Sequence, residues 1–331
     1  MDDNGYMYMQ DNAIFNFLYK NGGWFVESFF LISGTLFWMN YAPKIRGGEY
    51  SFRLYWKRRM IRIYPLMIIS LFLSVTTQEI YRYHFGHYWL WCSNNNLFTF
   101  FLNLLGLQGL FSNGYSFNCP AWTLTVFFVL WIQFFLIVKI AKGRREYEFY
   151  FCVIMMLLGL TITICFPNSK TPFLNYNFGR GYVAFFAGGC IWLLFEKGSE
   201  VYRRKTAYAL AIVFIILIIL KKLLQFEIGP TNLVFGCIIF PGIFWICLGI
   251  GKITRILSTK PLVWIGKISF SLYLCNFPVQ NILAYLSERG FIHIVYSNWK
   301  FWWLHFCCNI VVATVLNDFI ERKVTPFLKK Q

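Results

Sequence analysis

Apolar runs of bilayer length recur along the whole chain. Windows of roughly 17 to 25 mostly apolar residues, the length a helix needs to cross a hydrocarbon core of about 30 Å, fall at 22–41, 60–79, 120–138, 149–166, 181–196, 207–226, 231–250, 263–286 and 301–320. In lipid each backbone N–H and C=O needs a partner inside the protein, so runs of this length fold as helices. The expected fold class is all-α and integral to the membrane, a polytopic bundle of about nine transmembrane helices formed by one domain over residues 1–331. Composition agrees, because 58% apolar and 14% charged residues with a mean hydropathy of +0.52 exclude a soluble domain of this size. The run 97–111 is shorter and lies between polar stretches, which predicts a re-entrant or interfacial segment inside an outer excursion over 80–119.

Basic residues orient the bundle. The loops 42–59, 139–148, 197–206 and 251–262 with the tail 321–331 hold 21 Lys and Arg, against 8 in the alternate regions. Loops retained in the cytoplasm carry that excess, so the C-terminus is expected inside and the N-terminus outside. With an outside N-terminus and no visible export signal, either the short N-terminus translocates unaided or one more span is expected ahead of Met1. The net charge of +17 follows from this bias and from contact with anionic lipid, and no nucleic-acid partner is expected. Most of the ten cysteines lie within spans, where they act as small apolar residues, and no metal or redox spacing appears. Cys92 and Cys119 share the outer excursion, where either a disulfide or two free thiols fits.

Several local patterns carry chemistry. Val26-Glu27-Ser28-Phe29-Phe30-Leu31-Ile32-Ser33-Gly34 sets a carboxylate at the outer end of a span and small residues within it. Arg58-Arg59-Met60-Ile61-Arg62-Ile63-Tyr64-Pro65 sets three guanidiniums three and four residues apart, which one helix face can gather. Such planar forks suit phosphate, although basic residues that only fix topology would look the same. Cys119-Pro120-Ala121-Trp122-Thr123-Leu124-Thr125-Val126-Phe127 opens another span. Asn177-Phe178-Gly179-Arg180-Gly181-Tyr182 leads into a small-residue stripe, and Arg180 there either pairs with Glu27 or snorkels. In 262–279, Ser269, Tyr273 and Asn276 stand at i, i+4 and i+7, a polar stripe that either joins helices or lines a cavity. Asn317-Asp318-Phe319-Ile320-Glu321-Arg322 closes the last span, with Glu321 placed to face the arginines or to make a local surface pair.

Taken in order, these patterns resemble acyltransferase family 3, membrane O-acyltransferases that move acyl groups onto sugars and other envelope molecules. The matches run from residue 24 to 322. The resemblance implies an acyl-coenzyme A co-substrate, usually acetyl-CoA, with its phosphates near Arg58, Arg59, Arg62 and Glu321. It also implies an acceptor hydroxyl on an envelope polysaccharide or glycolipid, reached along a path lined by Ser33, Trp122, Arg180, Ser269, Tyr273 and Asn276. The bacterial inner membrane is the implied location, and a homo-oligomer stays open. Three departures stand out: Phe127 replaces the family's usual acid, Asn276 replaces its common His, and residues 1–23 lack the His and Arg of its usual first helix. A hydroxyl attacking a thioester needs a base, for which His is the usual choice. His84, His87 and His293 fall in outer loops, which leaves His305, within the last span, and Glu27 as substitutes. The expectation is an O-acyltransferase that lacks the usual first helix, and the alternative is an inactive binding or export component of the same fold. A transporter would show paired broken helices in two related halves, which the chain does not display.

Overall fold

The computed structural model describes Asn16, Leu18 and residues 22–88, 94–110, 116–224, 235–296 and 298–326. A 3-10 turn, Gly22–Trp24, leads into α1 (Phe25–Asn40), then the short α2 (Ala42–Arg46), the long α3 (Phe52–Phe85) and the small α4 (Leu97–Leu104). There follow α5 (Trp122–Ile140), α6 (Arg145–Cys165), α7 (Tyr176–Lys197) and α8 (Glu200–Leu224). A π-helical turn, Phe235–Ile239, precedes α9 (Phe240–Gly249), and α10 (Gly251–Leu257), α11 (Lys260–Glu288) and α12 (Trp299–Phe319) complete the order. No named strand occurs among the described residues. This is an all-α, multi-pass membrane architecture.

Six helices are long and apolar enough to cross a bilayer, or seven when the pair Gly236–Gly249 and Gly251–Leu257, bent by 96°, is taken as one broken span. The expected nine is therefore not reached on length and apolarity among the described residues. The window 22–41 falls on a helix, but α1 has only 16 residues, about 24 Å of rise, and the window 207–226 runs past the described residues, with α8 covering it as far as Leu224. Helix α3 is longer than its expected window, 34 residues against 60–79, because Ser51 caps it before the arginines (Leu54 N to Ser51 Oγ, 3.3 Å) and Gly86 ends it in the left-handed region at φ 75°. It thus absorbs the start of the excursion expected as loop. The segment 97–111 does not span: α4 is eight residues opened by an Asn96–Thr99 capping box, and Leu97, Phe98 and Phe101 are exposed.

Helices α1, α6 and α7 approach at backbone distance. A methyl group at Gly34 would lie 1.9 Å from the Phe185 carbonyl oxygen, and one at Gly188 would lie 2.1 Å from that of Leu31. Thr35 Oγ1 donates across this seam to Gly188 O at 3.0 Å. Between apolar helices in lipid, close packing and such hydrogen bonds replace the hydrophobic drive available in water. The core beside the seam is aromatic, with Phe37 stacked on Trp131 at 5.7 Å and Trp38 edge-on to Phe134 at 4.7 Å.

Two buried ion pairs clamp the opposite ends. At the end where α2 begins, both Glu148 oxygens accept from Arg46, at 2.7 and 2.8 Å, and Glu148 also accepts from Trp38 Nε1 at 3.1 Å. Burial pulls the Arg46 guanidinium down, but Glu148 more than offsets this and holds it above its ordinary range. At the other end, where α1 begins, Arg180 holds Glu27 at 2.6 and 2.9 Å and reaches Gly23 O at 2.5 Å.

Candidate functional site

A cavity of about 760 Å³ lies between α1, α3, α5 and α11. That is within the range of pockets that take cofactor-sized ligands. Along α1 its wall runs from Val26 to Tyr41, fifteen residue steps and about 22 Å of helix rise, a large part of a hydrocarbon core. One end is basic and aromatic, with Arg59, Arg62, Lys267, Tyr41 and Asn40. Ser28, Thr123 and Tyr273 lie toward the other end.

Arg59 gives the basic end its character. Its guanidinium sits 4.1 Å over the Phe37 ring, 4.0 Å over Tyr41 and 5.6 Å from Trp131. The residue is 9% exposed, and its Nε is buried with no hydrogen-bond partner. Aromatic faces attract a cation without neutralising it, so the Arg59 charge remains available to a ligand. Arg62, one turn on, lines the same space and is exposed. Arg58 does not join them: it donates to the Tyr50 hydroxyl and lies 4.8 Å over that ring. The three arginines therefore do not converge as their spacing predicts, since Arg58 and Arg59 lie about 100° apart around the helix.

The expected path residues divide in the same way. Ser33, Ser269 and Tyr273 line the cavity, and the Tyr273 hydroxyl donates to Pro120 O at 2.9 Å, which ties α11 to the turn before α5. Asn276 shares their helix face but sits beyond the cavity, its carbonyl 3.3 Å from His305 Nε2. His305 stacks on Phe301 at 6.2 Å between α11 and α12 and does not line the cavity. Trp122 also lies outside it, 9% exposed, with the Arg180 guanidinium 5.8 Å from its ring. Glu27 and Arg180 find each other, as one alternative held, and neither faces the cavity. Glu321 makes no ion pair among the described residues, and the local pair at this helix end is Arg322 with Asp318 at 3.3 Å. Cys92 lies outside the described residues, so its pairing with Cys119 does too.

Some lining residues carried no functional expectation. Phe127 turns its ring inward against Phe30 at 4.5 Å and Trp131 at 5.6 Å, so the family's acid position faces the cavity as a hydrocarbon. Among the described residues no carboxylate or histidine lines the cavity. Lys267 was counted only as topology, yet an ammonium several residues inside an apolar helix is itself a sign of function. Glu148 had a weaker sign, because acids in the first turn of a helix are common for dipole reasons alone.

A family profile described as an acyltransferase domain matches residues 4–320. Among curated proteins, the chain is 24% identical over 345 residues to the "Putative peptidoglycan O-acetyltransferase YrhL" of Bacillus subtilis strain 168, covering 93% of this chain and 51% of that protein. It is 24% identical over 348 residues to O-acetyltransferase OatA of Staphylococcus aureus strain NCTC 8325, covering 95% of this chain and 54% of the relative. The chain thus spans about half the length of the curated relatives it matches. No solved structure matches it. With a profile that accounts for nearly every described element, from α1 to the end of α12, the protein belongs to acyltransferase family 3.

Proposed function

We propose that the chain is a membrane O-acyltransferase, in its simplest form an O-acetyltransferase. It takes the acyl group of acyl-coenzyme A at the Arg59 and Arg62 end of the cavity and delivers it to a hydroxyl of an envelope polysaccharide or glycolipid at the Ser28 and Thr123 end. The single observation that carries this is one cavity with an uncompensated buried cation at one end and hydroxyl-bearing side chains toward the other. The names of YrhL and OatA support O-acetylation, and that of YrhL supports a peptidoglycan-like glycan as acceptor. In this proposal α1 and α8 also cross, which makes nine spans, and the basic end faces the cytoplasm of a bacterial inner membrane, where acyl-coenzyme A is made.

In the reaction, the acceptor oxygen bonds to the thioester carbonyl carbon, the carbon–sulfur bond breaks, and the acceptor proton ends on the coenzyme A thiol. Arg59 and Arg62 bind the donor's phosphates and fix the thioester along the cavity. Ser33, Ser269 and the aromatic wall of Phe29, Phe127 and Phe270 guide the pantetheine arm and exclude water. Tyr273, tied to Pro120, holds the far end of the path in register.

The second reading, a binding or export component, rests on the lack of a carboxylate or histidine among the described lining residues, together with Phe127 at the acid position. Purified chain in proteoliposomes with radiolabelled acetyl-CoA and envelope glycan separates the two. Label appearing on glycan supports the transferase; donor retained without transfer supports the binding component. Neither binding nor transfer overturns both.

A further inference from the structure

We propose that Lys267 completes an anion site with Arg59 and Arg62, so that the phosphates of the donor bridge α11 to α3 across the cavity. This rests on the donor reading above and extends it to a residue that no family pattern singles out here.

The three cations come from two helices and line one space. Lys267 is exposed and makes no ion pair among the described residues, and the same holds for Arg62. Arg59 is nine-tenths buried with Nε unpartnered, its guanidinium packed against the Phe37 and Tyr41 rings. Like charges sharing a low-dielectric space repel unless an anion joins them. The counter-charge that the family pattern would supply from α5 is absent, because position 127 is phenylalanine and its ring lines this cavity. The cavity therefore calls for a ligand with several negative charges. A coenzyme A thioester, with its pyrophosphate and 3′-phosphate, answers that need, and a lone acyl chain or neutral thioester does not. Lys267 is a point charge on a flexible stem, suited to reach a phosphate from the second helix while the arginine forks grip from the first. One consequence is geometric: donor binding draws the N-terminal part of α11 toward α3, carrying Ser269 and Tyr273 on the same helix.

Equilibrium binding of radiolabelled acetyl-CoA to the full chain in nanodiscs tests this, with dephospho-acetyl-CoA and the phosphate-free thioester S-acetyl-N-acetylcysteamine as comparison probes. Lys267→Met is expected to weaken acetyl-CoA binding about tenfold and to flatten its salt dependence. Lys267→Arg is expected to restore binding to within about threefold, and Phe127→Glu, which returns the missing counter-charge, to weaken it in the wild-type background. The phosphate-free probe should bind wild type and Lys267→Met alike. If Lys267→Met binds acetyl-CoA as wild type does while Arg59→Ala loses it, the Lys267 role is overturned and the donor site stands. If the wild-type chain binds no acetyl-CoA at all, the donor reading fails and this proposal with it.

Discussion

Glu27 was an expected substitute base, and the structure makes it half of a clamp instead. Its side chain is 3% exposed and that of Arg180 12%, with both carboxylate oxygens taken by the guanidinium. Removing one partner strands the other charge out of water, a loss of about 3–5 kcal/mol, whereas replacing both with apolar residues of similar volume is often near neutral. Arg180→Met alone should therefore lower the unfolding midpoint by on the order of 10 °C, taking about 2–4 °C per kcal/mol for a chain larger than a small domain. Glu27→Leu with Arg180→Met should recover most of that loss, since both buried charges leave together and the contact to Gly23 O given up with them is exposed. Methionine also keeps contact with the Trp122 and Tyr176 rings that the guanidinium now covers at 5.8 and 5.4 Å. The assay is tryptophan fluorescence during heating in detergent at one scan rate, followed by acetyl transfer and acetyl-CoA binding on the folded variants. No recovery in the double variant would refute the clamp energetics. A double variant that is as stable as wild type and binds donor, yet transfers acetyl more than about tenfold slower, would refute the structural role and return Glu27 to the chemistry.

Three further outcomes follow from the geometry. Gly34→Ala places a methyl 1.9 Å from the Phe185 carbonyl oxygen, and separating α1 from α7 to admit it should cost about 1–3 kcal/mol, read as a lower unfolding midpoint. Arg59→Ala should weaken acetyl-CoA binding by about 10–100-fold, the range for losing charged hydrogen bonds, whereas Arg58→Ala, which gives up only the Tyr50 contacts, should change it less than threefold; equal losses would mean that the cavity is not the donor site. His305→Gln should leave acetyl transfer within about threefold of wild type, because the ring lies outside the cavity against Asn276 O; a loss of several hundredfold would make it the missing base.

Much of this protein is legible in one dimension, and the limit has a physical form. Apolar length decides helix and membrane because the bilayer leaves backbone groups no other partner. That logic is local, and helix covers most of the described part of each of the nine expected windows. It weakens where a short helix meets the bilayer edge, as α1 shows. Motif spacing likewise brought out Arg59, Arg62, Ser33, Ser269 and Tyr273, because residues three and four apart share a helix face.

Which of those faces look into a common space is settled by rotation and depth of whole helices, quantities that no local pattern carries. Tertiary packing turned Arg58 to Tyr50 and Arg59 into its aromatic surround. It left Asn276 beyond the end of the cavity and brought Lys267 into the arginines' space. The glycine seam shows why: at Gly34 and Gly188 two backbones touch, and contact at that distance permits one rotation of α1 against α7. From the sequence alone came the membrane, the helices, the family resemblance and the cations. Only the packed bundle decided which cations share a cavity, because a cavity is made by side chains far apart in the chain and near in space.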